Sequence, residues 1–197
     1  MITNSFFIIF AYLLGSLSSA IIISRIMGLP DPRTQGSGNP GATNVLRFGG
    51  KKAAAFTLAG DAIKGLIPVL AAKLAGVSTD ILAVTAIAAF LGHLFPVFFG
   101  FKGGKGVATA LGAYLGISLT IGLMLLATWL LMARISKISS LSALVAAALA
   151  PLYVYFVLEE TVYVYMAIFL SVVLIIRHKN NIKELIKGTE GRIDNEN

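Results

Sequence analysis

The chain has 197 residues, of which 57% are hydrophobic and 13% charged, with no cysteine and a formal net charge of +7. A soluble domain of this size carries about 25% charged residues, so this chain has too little polar surface for a water-soluble globule. The apolar excess predicts an integral membrane protein. The absence of cysteine excludes disulfides, thiolate metal sites and a cysteine acyl-enzyme.

Residues 1–197 are predicted to form a single membrane domain, because no hydrophilic stretch is long enough to fold separately. A helix needs about 20 apolar residues to cross the roughly 30 Å hydrocarbon core. The first such segment is expected to be a retained span, since no basic residue precedes it and no small-residue cleavage motif follows it. The clear candidates along the chain are 4–24, 53–75, 80–100, 140–158 and 161–177.

The apolar stretch between Lys105 and Arg134 is longer than one span needs, at about 28 residues, and could cross once or twice. The positive-inside rule places Lys and Arg in short cytoplasmic loops. With two crossings and the N-terminus outside, only Lys73 among the 16 basic residues lies near the outer face. The charge pattern therefore predicts an all-α protein of seven transmembrane helices, some short, with a cytoplasmic C-terminus. A turn is expected near 116–122, where Gly and Ser cluster.

The first cytoplasmic loop of this topology, residues 36–47, is too rich in Gly and Asn to be helical throughout. Successive backbone amides in such a loop can form an anion-binding nest. Neutral side-chain donors surround them, and Arg47 offers a bidentate donor for phosphate or carboxylate. The alternative is a flexible loop that contacts lipid headgroups, but the density of donors favours a phosphate site. Its candidate residues are Ser37, Gly38, Asn39, Thr43, Asn44 and Arg47.

A second cytoplasmic loop places two lysines around a pair of glycines just before the next helix. Lys102 and Lys105 flank Gly103 and Gly104, and Gly106 follows. The bare amides and positive dipole end of a helix N-terminus favour an anion. Gly106 stands where a Walker A loop has Ser or Thr, so phosphate binding is expected without nucleotide hydrolysis. The alternative is that the lysines only satisfy the positive-inside rule.

Three ionisable groups within the spans are open to two interpretations. Asp61 and Lys64 share one helix face. Charge inside a membrane is costly, which favours a functional role, but a mutually satisfied structural pair is equally consistent with the spacing. His93 more often packs or forms a hydrogen bond than catalyses.

The last cytoplasmic segment, residues 177–187, is basic and amphipathic, which is typical of a surface helix held by anionic lipid. His178 and Asn181, however, are three positions apart and could face the same pocket as the two loops. Residues 136–142 add hydroxyl donors at the same membrane face. These are Ser139, Ser140 and Ser142.

The chain resembles the bacterial membrane family of acyl-phosphate:glycerol-3-phosphate acyltransferases. The resemblance rests on three patterns that together cover nearly the whole chain: residues 37–47, residues 92–109, and Arg177-His178 with Asn181-Ile182. It implies transfer of a fatty acyl group from acyl phosphate to the 1-hydroxyl of glycerol 3-phosphate, giving lysophosphatidic acid and phosphate in phospholipid synthesis. It also implies a seven-helix enzyme of the bacterial inner membrane with a cytoplasmic active site.

The resemblance carries over five catalytic residues: Ser37, Arg47, Lys105, His178 and Asn181. The remaining candidates of the two loops are expected to bind substrate, together with Ser140 as the first choice among the three serines. They are Gly38, Asn39, Thr43, Asn44, Lys102, Gly103, Gly104 and Gly106. Either loop could hold either phosphate.

The expected mechanism needs no protein nucleophile and no metal or nucleotide cofactor. Other glycerol-phosphate acyltransferases place an Asp five residues after a His, but here those positions are Phe98 and Lys183. Acyl phosphate is already activated, so proximity and charge neutralisation are expected to suffice. A phosphate oxygen of the donor would take the hydroxyl proton. The expected partners are the two substrates, membrane lipid and, transiently, a soluble enzyme that makes acyl phosphate, but not nucleic acid.

Two other classes of protein fit parts of the pattern. A small transporter of a phosphorylated solute could also use glycine loops and broken helices, but the outer half of this chain offers almost no polar group. A structural lipid-binding protein would use a basic face, but it would not need two glycine-rich loops.

Overall fold

The computed structural model describes residues 2–193, and its regular structure over that range is helical. The chain divides into two compact units, Met1–Ile117 and Ser118–Asn197, called here the first and second units. The first unit contains α1 (Ile2–Gly15), α2 (Ser19–Ile26), α3 (Ala42–Leu74), α4 (Thr79–Leu94) and α5 (Val107–Ile117). The second contains α6 (Leu119–Ser136), α7 (Ser139–Val157), α8 (Thr161–Arg177) and α9 (Lys179–Lys187). The single-domain assignment of residues 1–197, which extends beyond the described range, stays a prediction.

Within the described residues, four helical segments are long and apolar enough to cross a membrane: Ala42–Leu74, Thr79–Phe99, Leu119–Ser136 and Ser139–Val157. Two bent pairs raise this number to six if each pair is one span. The first pair joins α1 and α2 at an angle of 46°, and the second joins α8 and α9 at 60°. The helix α5 is apolar but has only 11 residues, about 16 Å at 1.5 Å per residue. The all-α class is confirmed.

The ambiguous stretch 106–133 is broken, as predicted. The helix α5 ends at Ile117 and α6 begins at Leu119. Ser118 between them has extended backbone, and its side chain accepts a hydrogen bond from the amide of Ile121. Ser is a favoured N-cap because its oxygen satisfies one of the unpaired amides of the first turn.

The helix α3 starts earlier than the predicted span 53–75, because a short helical segment precedes it. Gly50 interrupts the helix with φ 76° and ψ 176°, a conformation open to glycine but strained for other residues. The segment before the break packs through Val45 against Ala20 of α2 and Ala53 of α3. The predicted loop 36–47 is therefore a loop only up to Gly41, and Thr43, Asn44 and Arg47 lie in the first turns of α3.

Close helix packing holds α3 against α5 in the first unit. A methyl group at Gly112 would collide with the backbone carbonyl of Ala62, so glycine permits the approach. At the far end of the same pair, Lys73 donates from Nζ to the carbonyl oxygen of Ile117 at 2.6 Å. Lys73 therefore bonds the last residue of α5, where helix carbonyls lack partners within the helix.

Candidate functional site

Asn44 organises the glycine-rich loop that precedes α3. Its side chain is 2% exposed. Its Oδ1 accepts from the amide of Ser37 at 2.9 Å. Its Nδ2 donates to the carbonyl of Pro32 at 2.8 Å and to that of Gln35 at 3.0 Å. Because its one buried side-chain amide forms hydrogen bonds with three backbone positions of the loop, Asn44 stabilises the loop conformation.

The other predicted residues of this loop are more accessible than Asn44. Ser37, Thr43 and Arg47 are exposed, and Gly38 and Asn39 are half-buried. The exposed hydroxyls and guanidinium are the chemistry that a phosphate would meet on approaching the loop. The predicted residues of this loop therefore differ in position. Asn44 is buried and holds the loop conformation, and the others are accessible to solvent to different degrees.

The same loop contains an ion pair between Asp31 and Arg33. The guanidinium contacts both carboxylate oxygens, with Nη2 2.7 Å from Oδ2 and Nε 3.1 Å from Oδ1. The Arg33 side-chain hydrogen bonds hold the pKa of Asp31 below its ordinary value, against an opposing effect of partial burial. The same bonds raise the pKa of Arg33. The sequence analysis did not single out this pair, because both residues look like ordinary loop charges.

The second loop, residues 102–106, lies against His93 at the end of α4. A methyl group at Gly103 would collide with the carbonyl oxygen of His93, and one at Gly104 would collide with Nε2 of the His93 ring. The glycines therefore allow the loop backbone to rest directly on this histidine. Gly106, at φ 89°, then leads into α5 at Val107, so the predicted helix start after Lys105 is confirmed. Lys102 is exposed and Lys105 is half-buried.

The two loops meet within the first unit. A methyl group at Gly104 would lie 3.3 Å from the carbonyl oxygen of Pro40, which places the second loop against the first. Beside this contact is an open cleft of about 330 Å³, at the lower end of the range for ligand pockets. Its lining residues are Asp31, Arg33, Thr34, Gly38, Pro40, Lys102 and Gly103.

In the second unit, a carboxylate that the sequence analysis missed joins two of the predicted residues. Ser140 donates from Oγ to Oε1 of Glu190 at 2.6 Å, and Asn181 donates from Nδ2 to the same oxygen at 2.6 Å. Glu190 reaches them because α9 ends at Gly188, where the left-handed backbone (φ 70°) turns the chain back. In the sequence, Gly188 two residues before Glu190 indicates that the helix ends there and that the chain changes direction.

The structure also distinguishes two of the three serines at the start of α7. Ser140 bonds Glu190, whereas Ser142 is fully buried and donates to the carbonyl of Ile138 in the preceding turn at 2.9 Å. Of these two hydroxyls, Ser140 is thus the one bonded to a residue distant in sequence, whereas Ser142 bonds the residue that caps its own helix. The choice of Ser140 as the substrate-binding serine stays a prediction.

His178 lies at the bend between α8 and α9 and is 2% exposed. Its Nδ1 is 2.8 Å from the carbonyl oxygen of Leu174. Because a carbonyl accepts a hydrogen bond, this contact favours the tautomer with the proton on Nδ1 and leaves Nε2 as an acceptor. Asn181 follows one turn later on α9, as its spacing predicted. The basic amphipathic segment is helical over Lys179–Lys187.

Among residues 2–193, no three His, Cys, Asp or Glu side chains are grouped so that they could hold a metal ion. Besides the carboxylates of Asp31 and Glu190 and the two histidines, the polar groups described above are hydroxyls, amides, lysines and arginines. Such donors suit a phosphate more than a cation.

Comparisons with known proteins agree with this chemistry. The family model described as glycerol-3-phosphate acyltransferase matches residues 5–188. The glycerol-3-phosphate acyltransferase of Methylococcus capsulatus is 60% identical over 184 residues, 93% of each chain. That of Thioalkalivibrio sulfidiphilus is 56% identical and covers 99% of this chain and 96% of its own.

A solved structure extends the similarity to the fold. It is the glycerol 3-phosphate form of PlsY (YgiH), an integral membrane glycerol 3-phosphate acyltransferase, with a TM-score of 0.91 and 41% identity over 96% of this chain and 95% of that one. The lysophosphatidic acid form of PlsY has a TM-score of 0.89 and 40% identity over the same shares. The chain is therefore a multi-pass membrane enzyme and belongs to the glycerol-3-phosphate acyltransferase family.

Proposed function

We propose that this enzyme transfers a fatty acyl group from acyl phosphate to the 1-hydroxyl of glycerol 3-phosphate at the cytoplasmic face of the bacterial inner membrane. Lysophosphatidic acid and inorganic phosphate are the products. The observation that carries the proposal is the contact between the two donor-rich loops at Gly104 and Pro40. Beside this contact, Arg33, Thr34 and Lys102 line one cleft together with loop glycines, and cationic and hydroxyl donors of this kind suit a substrate bearing phosphate.

In the first unit, Ser37, Arg47 and Lys105 are assigned to phosphate. Lys105 stands immediately before Gly106 and the N-terminus of α5, where the lysine charge and the helix dipole have the same sign. Both stabilise the negative charge that accumulates on a departing phosphate. The exposed guanidinium of Arg47 can grip two phosphate oxygens at once.

In the second unit, His178 and Asn181 are assigned to the orientation of glycerol 3-phosphate, and Ser140 to binding it. The observed hydrogen bonds to Glu190 show that Asn181 and Ser140 can donate together to one anionic oxygen. The imidazole of His178 is assigned to a glycerol hydroxyl. These are binding and positioning roles.

The chemical step is a direct acyl transfer. The 1-hydroxyl oxygen forms a bond to the acyl carbon, and the bond between that carbon and the phosphate oxygen breaks. The hydroxyl proton passes to an oxygen of the departing phosphate, so atoms and charge balance without a protein base. No metal, nucleotide or protein nucleophile takes part in this scheme.

The topology proposed for this function has seven spans, with the N-terminus outside and the C-terminus in the cytoplasm. It counts the four long segments, the two bent pairs and the short helix α5. It places Ser118 outside and Lys102 and Lys105 in the cytoplasm. A reporter fused at Ser118 should be accessible from the periplasm, and a cytoplasmic signal there would contradict this topology.

The test of the reaction is an acyl-transfer assay with purified protein, palmitoyl phosphate and glycerol 3-phosphate, without acyl-CoA or added metal. Lysophosphatidic acid should form in proportion to enzyme. Lys105→Ala should lower turnover about a hundredfold or more, as expected when a charged transition-state donor is removed. Lys51→Ala is the matched control, because Lys51 is an exposed lysine of α3 outside both loops.

Each other outcome points to a different conclusion. Product formed only from acyl-CoA or acyl carrier protein would support acyltransferase activity but contradict acyl phosphate as the acyl donor. Uptake of glycerol 3-phosphate into liposomes without any acyl product would favour the transporter. A soluble acyl-phosphate-producing enzyme is the partner class that this donor requires, and its addition should raise the rate at limiting acyl phosphate.

A further inference from the structure

Three ionisable side chains form a buried network inside the first unit. Asp61 is 3%, Lys64 4% and His93 7% exposed. Lys64 Nζ is 2.8 Å from Asp61 Oδ1 and donates to the carbonyl oxygen of Leu17 at 2.6 Å. His93 Nδ1 lies 3.6 Å from the same carboxylate oxygen. That distance is too long for a hydrogen bond, and the contact is an ion pair only when the imidazole is protonated, but the carboxylate still faces the Nδ1 side of the ring.

The network ends at the second loop. The His93 ring is the surface on which Gly104 rests, and the His93 carbonyl is the neighbour of Gly103. A side chain at either glycine would force the loop off the histidine. The loop that contains Lys102 and Lys105 therefore packs directly against this histidine.

Stability alone does not account for these groups. Removing two charges from water costs about as much as their attraction returns, so a buried ion pair adds little net stability. Ionisable residues within spans are also costly in lipid. An apolar core between α3 and α4 would pack as well, but it would not fix the orientation of an imidazole ring.

We propose that Asp61 and Lys64 are positioning residues for the second loop. Lys64 holds the Asp61 carboxylate in place, Asp61 orients the His93 ring through Nδ1, and the ring supports Gly103 and Gly104 so that the loop amides bind a substrate phosphate. None of the three touches substrate. Which substrate supplies that phosphate rests on the proposed function. That the His93 ring holds the loop in position does not rest on it.

The test separates loop position from stability. Asp61→Asn leaves the Lys64 charge without its carboxylate and should lower the thermal midpoint of the detergent-solubilised protein. Asp61→Asn combined with Lys64→Met removes both charges and should return the midpoint toward that of the wild type. Thr85→Val is the matched control, because Thr85 is a buried residue of α4 whose hydroxyl bonds the carbonyl of Ile81 in its own helix.

Phosphate binding should remain impaired in the double variant even though its thermal midpoint recovers. In the double variant, the KM for at least one substrate should stay about tenfold above that of the wild type, as expected for misplacing one or two phosphate hydrogen bonds. The kcat should remain within about threefold. A double variant that regains both midpoint and KM would make the network purely structural. A large fall in kcat at unchanged KM would mean that the network acts on the chemical step instead.

A binding measurement keeps this result independent of the reaction. Calorimetric titration of the same variants with glycerol 3-phosphate and with inorganic phosphate should show the same loss of affinity. If the wild type binds these anions but makes no product from palmitoyl phosphate, the proposed donor fails while the loop inference stands. Equal affinity in the wild type and the double variant would overturn the inference even in an active enzyme.

Discussion

Asn44 Oδ1 accepts a hydrogen bond from the backbone amide of Ser37 at 2.9 Å, and this bond joins the first turn of α3 to the loop before it. The hydroxyl of Ser37 remains exposed beside the buried amide of Asn44. Asn44 thus fixes the backbone conformation of the loop, while Ser37 exposes its side chain to solvent. Under the proposed function, we expect the first loop to bind an anion only while this division of roles is maintained.

Asn44→Ala should reduce both stability and activity. It leaves the Ser37 amide and two loop carbonyls without their buried partner, and each unsatisfied group costs about 1–3 kcal/mol. Asn44→Asp is the informative companion, because a carboxylate can accept from Ser37 but cannot donate to Pro32 and Gln35. Thermal midpoints and KM values should worsen in both variants. An Asn44→Asp enzyme with wild-type KM and midpoint would show that the two donated bonds are unimportant.

The sequence predicted those features that depend on local pattern and charge. The break at Ser118, the loop before Val107 and the helix over Lys179–Lys187 all follow from glycine placement, hydropathy or the distribution of lysines. The role of Asn44 in holding the loop conformation was not predicted. The sequence alone does not show whether an asparagine side chain is buried against its own loop or exposed to a substrate. Nor was Glu190, since its bond to Ser140 spans 50 residues and no local pattern encodes it.

Ser140→Ala should lower activity far more than Ser142→Ala. Ser140 donates to a carboxylate 50 residues away in the second unit, whereas the Ser142 hydroxyl bonds the carbonyl of Ile138, the residue that caps its own helix. Loss of a hydrogen bond to a charged group costs about 1.5–3 kcal/mol, so kcat/KM for glycerol 3-phosphate should fall at least about tenfold in Ser140→Ala. Ser142→Ala controls for the loss of a hydroxyl on the same helix. Equal effects of the two changes would contradict the choice of Ser140.

Glu190→Gln and Glu190→Ala should differ in their effect. Glutamine retains an oxygen that can accept from Ser140 and Asn181, although without the charge that shortens both bonds to 2.6 Å. Alanine leaves both donors without that acceptor. Activity and thermal midpoint should therefore fall in the order wild type, Gln, Ala. If Gln were as damaging as Ala, the carboxylate charge itself, and not the accepting oxygen, would be essential.

The Asp31–Arg33 pair should make stability depend on pH in the acidic range. The folded-state pKa of Asp31 lies below its ordinary value because of the Arg33 hydrogen bonds, so the unfolded chain binds more protons there. Stability from this pair is complete above the unfolded pKa of about 3.9 and is lost as pH falls through the folded pKa. Below pH 5, the thermal midpoint of the wild type should fall more steeply than that of Asp31→Asn. Parallel profiles would mean that the pair contributes nothing, as happens for many exposed pairs.

Lys73→Met should destabilise the first unit without changing catalysis. Lys73 donates to the carbonyl of Ile117 at 2.6 Å, at the negative end of α5. A hydrogen bond from a charged donor contributes about 1.5–3 kcal/mol, and about 1 kcal/mol shifts the midpoint of a chain of this size by some 2–4 °C. Lys73→Arg should lose less, because the guanidinium can still donate to the same carbonyl. The values of kcat and KM should stay within about twofold of the wild type in both variants, because Lys73 lies at the end of α3 remote in sequence from both loops. A fall in kcat/KM at an unchanged midpoint would show instead that the end of α5 is coupled to the loop at its beginning.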